Sequence, residues 1–99
     1  MKMAFLVCNA VYAPRLMALM GELEIDYYTR WDDATGKGHG TEQHLGTRSF
    51  PGLNAVFMIA FREEGALERL TAGLADLNAK ILREDDKVRL FQMPLERMV

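Results

Sequence analysis

The sequence predicts an α+β fold of the ferredoxin-like kind, βαββαβ, with an antiparallel four-stranded sheet and two helices on one face. Three observations carry this expectation. Two apolar runs without alternation, 3–8 and 55–61, read as strands buried on both sides. Each is followed by a segment of helical period, and the remaining segments, 25–31 and 88–93, read as flanking strands. Two helices at this spacing are too few for a parallel doubly wound sheet, and in the antiparallel arrangement strands one and three form the inner pair.

Taken in order, Met3–Cys8 is the first inner strand, ended by Asn9 and Ala10. Pro14 suits the first turn of a helix, where its missing N–H has no intrahelical partner. Leu16, Met17, Met20 and Leu23 share one face, giving a helix over about 13–23 with Gly21 as a weak point near its end. From Ile25 the period becomes alternating, and Tyr27, Thr29 and Trp31 argue for a strand to Trp31. After the second inner strand, Glu63 and Glu64 mark the start of another helix, as acidic residues favour the positive end of its dipole. Leu67, Leu70, Leu74, Leu77 and Ile81 form its apolar stripe, and Gly73 suggests a close backbone approach. Arg83–Lys87 is a charged turn, and Val88–Met93 is a last strand stopped by Pro94. Helices on one face leave the other bare, yet both inner runs place apolar side chains there, so self-association through the open sheet face is expected.

The 99 residues make a single domain, 1–99, and 49% apolar content argues against wholesale disorder. A net charge of −2 with both signs interspersed provides no basic surface for nucleic acid. Cys8 is the one cysteine, which excludes an internal disulfide and fits a reducing compartment. Asn9 cuts the N-terminal apolar run short of a signal peptide, and no stretch is long enough to span a bilayer. The expectation is a soluble, cytoplasmic protein that is not membrane-embedded.

The working part is expected in the long insertion at about 32–53, because so long a segment without its own period is uncommon in a small domain. Gly36, Gly38 and Gly40 alternate with Lys37 and His39, a backbone that can approach a ligand closely beside a cation. Successive N–H groups with an ammonium can bind an anion, and Arg48 can grip a carboxylate or phosphate. The competing reading is a glycine-rich hairpin tip with a surface arginine. His39, His44 and Glu42, together with Cys8 or Asp33, offer ligand types for a divalent metal, against which stand solvated loop histidines. No Ser/His/Asp or Cys/His spacing suggests nucleophilic catalysis, so the chain is read as a non-enzyme.

Tyr28–Trp31 (Tyr-Thr-Arg-Trp), Gly36–Gly38 (Gly-Lys-Gly), His44–Thr47 (His-Leu-Gly-Thr) and Phe50–Asn54 (Phe-Pro-Gly-Leu-Asn), set in a βαββαβ chain, resemble the short PII-like members of the nitrogen regulatory protein P-II superfamily. The resemblance spans essentially the whole chain. It implies a homotrimer with sheets facing inward and a mobile T-loop that reports small-molecule binding to a partner protein, such as a transporter or enzyme. It also implies ligands, commonly adenine nucleotides such as ATP, ADP or AMP, in clefts between subunits at the loop base, where Gly36, Lys37 and Gly38 match the family's segment; Lys37 and Arg48 are then the expected cationic contacts, with Gly36, Gly38 and Gly40 giving backbone access. One departure stands out. PII proteins with a glycine-rich loop after helix two cradle phosphates there, whereas Leu82–Lys87 contains no glycine and three acids, which is expected to repel phosphates. The alternative is a divalent-metal binding or tolerance trimer like the related CutA proteins, using His39, His44 and Glu42.

Overall fold

The computed structural model describes residues 1–37 and 53–99. Within them the order is β1 (Lys2–Asn9), a 3-10 turn (Ala10–Tyr12), α1 (Ala13–Glu22), β2 (Thr29–Ala34), β3 (Asn54–Phe61), α2 (Glu64–Ala79), a second 3-10 turn (Glu84–Asp86) and β4 (Arg89–Pro94). The sheet is antiparallel with strand order β2-β3-β1-β4. It is the ferredoxin-like arrangement, and the two unalternating runs are its inner strands.

Alternation in those strands divides the molecule. Ala4, Leu6 and Cys8 of β1 and Ala55, Phe57, Ile59 and Phe61 of β3 are buried in one cluster with Leu16 and Met20 of α1 and Leu67, Leu70 and Leu74 of α2. Both helices therefore cover the same face. On the other face Phe5 lies between Met58 and Phe91, Met3 between Ala60 and Met93, and Val56 between Val7 and Trp31. Trp31, Phe91 and Met93 are 48%, 55% and 37% exposed on a face that is apolar across all four strands. Large apolar side chains exposed together on one face mark a contact surface.

Several expected boundaries shift, each for a local reason. α1 ends in a Schellman motif: Ile25 N donates to Met20 O at 2.9 Å, Glu24 N donates to Gly21 O at 3.1 Å, and Glu24 takes a φ of 59°. Ile25 is thus committed to the helix end and the core, so β2 begins at Thr29 rather than at Ile25. Tyr27 and Tyr28 lie in the connection and pack on Phe61 and Phe57, with ring centroids 6.1 and 5.9 Å apart. At its other end β2 runs on through Asp32–Ala34, residues expected in the insertion, by a register shift at Asp33, whose φ is 58°.

α2 stops at Ala79, leaving Ile81 buried just beyond it. Gly73 permits a close approach, but to a side chain rather than a backbone: a Cβ there would sit 2.7 Å from Leu19 Cδ1. Pro94 is the last residue of β4 instead of its stop; β4 is an edge strand, where a missing N–H is tolerated. Among the described residues no helix is long and apolar enough to cross a membrane.

Candidate functional site

Four segments converge at one end of the sheet. β1 finishes there at Asn9, β2 leads out through Thr35, Gly36 and Lys37, β3 enters at Asn54, and β4 begins at Arg89 after the charged turn. Leu53 O accepts a hydrogen bond from Ala10 N at 2.8 Å, which ties the return of the insertion to the end of β1. Between these segments is a cleft of about 370 Å³ whose lining includes Gly36, Lys37, Asn54, Glu84, Lys87 and Arg89. The expected loop base is therefore in a hollow, beside charges that the sequence pattern places in a repulsive turn.

The space beside Gly36 is tight. A Cβ at this position would come within 3.2 Å of Asn54 Nδ2, so a side chain would press on the amide across the strand pair. Asn9 anchors the charged turn: its Nδ2 donates to Asp86 Oδ1 at 3.3 Å while its Oδ1 accepts from Val11 N at 3.1 Å. Arg83 Nε lies 4.0 Å from Asp86 Oδ2.

The electrostatics of the turn differ from those expected of three acids in a row. Glu84 Oε2 is 3.0 Å from Lys87 Nζ, and Glu84 Oε1 is 3.0 Å from Arg89 Nη2. Hydrogen bonds from Lys87 and then Arg89 hold the Glu84 carboxyl below its usual range. Asp86 is engaged by Asn9 and Arg83, so Glu84 and Asp86 are matched by cations and donors within the cleft wall. The expectation that this turn simply repels phosphate is thereby weakened: Lys87 and Arg89 stand beside its acids.

Cys8 also borders the cleft, but burial pushes its thiol up to about 11, against a smaller lowering by Arg30. It is thus a core thiol and not a nucleophile at neutral pH. No group of three or more His, Cys, Asp or Glu residues able to hold a metal is found among the described residues. Gly38, His39, Gly40, Glu42, His44 and Arg48 lie outside the described residues. Of the expected ligand contacts, Gly36 and Lys37 are in the cleft. Asn9, Glu84, Lys87 and Arg89 join it without having been singled out; the i, i+3 spacing of Glu84 and Lys87 was the one hint of pairing.

A larger hollow of about 600 Å³ lies at the opposite end of β2 and β3, bounded by Tyr27, Thr29, Met58, Arg62 and Met98. It is lined by fewer charged residues and is remote from the insertion, so the chemistry concentrates in the smaller cleft.

The chain has the fold of PII-like proteins. CPII from Thiomonas intermedia K12, solved bound to ADP and bicarbonate, superposes with a TM-score of 0.67 at 16% identity, covering 97% of this chain and 88% of that chain. A further CPII structure, bound to ADP, AMP and bicarbonate, gives a TM-score of 0.67 at 15% identity, over 97% of this chain and 88% of that one. A protein of Thermus thermophilus, described as PII-like and signalling, gives 0.59 at 20% identity, over 93% and 83% of the two chains. No protein-family model matches the sequence, and no curated protein is significantly similar to it.

Proposed function

We propose that this chain is a PII-like regulatory protein: a cytoplasmic homotrimer that takes a small anionic ligand, an adenine nucleotide, in the cleft at the base of the 32–53 segment. Binding there controls the contact of that segment with a partner protein, a transporter or an enzyme. The observation that carries the reading is the meeting of Gly36 and Lys37 with Lys87 and Arg89 in a single cleft where the insertion leaves the sheet. Three cations gathered around the glycine at the loop base suit a phosphoryl or carboxylate group. That CPII, of the same fold, has been solved with ADP, AMP and bicarbonate supports this ligand class.

The apolar open face supports the assembly. Trp31, Phe91 and Met93 are exposed on it in the single chain, and facing sheets would remove them from water. Burial is worth roughly 25 cal/mol per Å² of apolar surface, so three such side chains per copy supply a substantial driving force.

A thermal-shift screen against ATP, ADP, AMP, cyclic nucleotides, 2-oxoglutarate, bicarbonate and divalent metals tests the ligand, because a molecule that binds only the folded form raises Tm. The proposal expects an adenine nucleotide to raise it. A shift with copper, zinc or nickel alone, lost in His39→Ala and His44→Ala, would instead favour the CutA-like alternative.

A further inference from the structure

Lys87 and Arg89 are not both open to a ligand as they stand. One carboxylate spans them: Glu84 reaches Lys87 Nζ and Arg89 Nη2 with separate oxygens, each at 3.0 Å. That is the way a bidentate anion would be held, with two oxygens a carboxylate's width apart on two cationic donors. Glu84 belongs to a short turn at the cleft wall and is itself largely exposed, so its side chain can swing into water without uncovering core. Exposed ion pairs are weak, and opening this clamp is correspondingly easy.

We infer that Glu84 is an internal competitor for the anion seat of the cleft, a stand-in that holds Lys87 and Arg89 together in the ligand-free protein and is displaced by a phosphoryl group. This deepens, and rests on, the reading of the cleft as an anion site. The exchange has a direction. A phosphoryl group carries more charge than a carboxylate and offers three oxygens, so it can displace Glu84 from the same two cations, whereas a free monocarboxylate, equal in charge to a Glu84 already tethered there, does not. Glu84 thereby lowers the affinity for every anion that takes both cations by a common factor, so that only the groups binding most strongly, the phosphoryl groups, still occupy the seat. The neighbouring Asp86 has no such part, since Asn9 and Arg83 hold it.

The test is calorimetric titration of ADP, inorganic pyrophosphate and adenosine into the full-length wild type and Glu84→Gln, which keeps the side-chain shape and removes the charge. Glu84→Gln is expected to bind ADP and pyrophosphate about three- to tenfold more tightly, the range that two exposed pairs allow. Adenosine, which has no phosphoryl group, is expected to bind both proteins alike. Glu84→Ala serves as a second variant, with the same expected direction. If the wild type binds ADP but Glu84→Gln binds it equally or more weakly, the competitor role is overturned while the cleft reading stands, and Glu84 then positions the cations instead. If adenosine gains as much as ADP, the effect is structural and the role is likewise overturned. If neither protein takes ADP or pyrophosphate, both inferences fall together.

Discussion

The side-chain amide of Asn78 brackets the backbone of Val88: Asn78 Nδ2 donates to Val88 O at 2.9 Å, and Val88 N donates to Asn78 Oδ1 at 2.8 Å. The pair joins the last turn of α2 to the residue that immediately precedes β4. Arg89 follows directly, so the bracket fixes where the strand enters the sheet and hence where the guanidinium stands relative to Glu84. Replacing Asn78 with Ala leaves two partly buried backbone groups without partners, at a cost of about 1–3 kcal/mol. Urea denaturation should register that loss, and Asn78→Asp, which keeps the acceptor for Val88 N but sets a carboxylate oxygen against Val88 O, should be destabilised as well.

Glu24 is a second local test. Its φ of 59° is the left-handed conformation that glycine adopts without strain, and the Schellman hydrogen bonds at the end of α1 require it. Glu24→Gly should therefore stabilise the protein or leave it unchanged, within about 1 kcal/mol, although most glycine substitutions destabilise. A lower Tm in the variant would mean that the helix end is held in some other way.

The open face makes a prediction about mass. Phe91→Glu places a charge opposite Phe5 in the middle of the apolar band, and Trp31→Lys does the same opposite Val56. Light scattering should give three copies for the wild type and one for the double variant, with the far-ultraviolet circular dichroism of the fold retained. A monomeric wild type at working concentrations would contradict the assembly.

Cys8 yields a pH dependence. Its thiol titrates at about 11 in the folded chain against an ordinary value of 9.0. Between those values the unfolded chain loses the proton while the folded chain keeps it, so stability is fully present below the lower value and is lost as pH rises through the upper one. Denaturation curves at about pH 8 and about pH 10.5 should show a steeper loss for wild type than for Cys8→Ala, the difference isolating the contribution of the thiol. Equal losses would place the thiol in contact with water.

How much of the molecule is legible in the sequence depends on the kind of signal. Met3–Cys8 and Ala55–Phe61 are readable because a strand apolar on both faces has no alternation, and that pattern also announces the open apolar face. The start of β2 is not, because Ile25, Tyr27 and Thr29 alternate equally well in a strand and in a connection whose first residue caps a helix. Asp32–Ala34 is hidden for a different reason: a bulge at an aspartate with positive φ carries no apolar period. In the cleft, Gly36 and Lys37 are visible as a glycine-cation pattern. The contribution of Lys87 and Arg89 is masked by counting acids along the chain, when the decisive fact is that one of those acids bridges both cations in space.

Whether the cleft between the loop base and β4 is an anion seat is decided by calorimetric titration of ADP into wild type and a Lys37→Met, Arg89→Met double variant. An anion seat gives saturable binding to the wild type, one ADP per chain, and a loss of at least about tenfold in the double variant, since each replacement removes a charge-assisted contact to phosphate. Tight binding that survives the double replacement unchanged would put the nucleotide elsewhere and contradict the assignment.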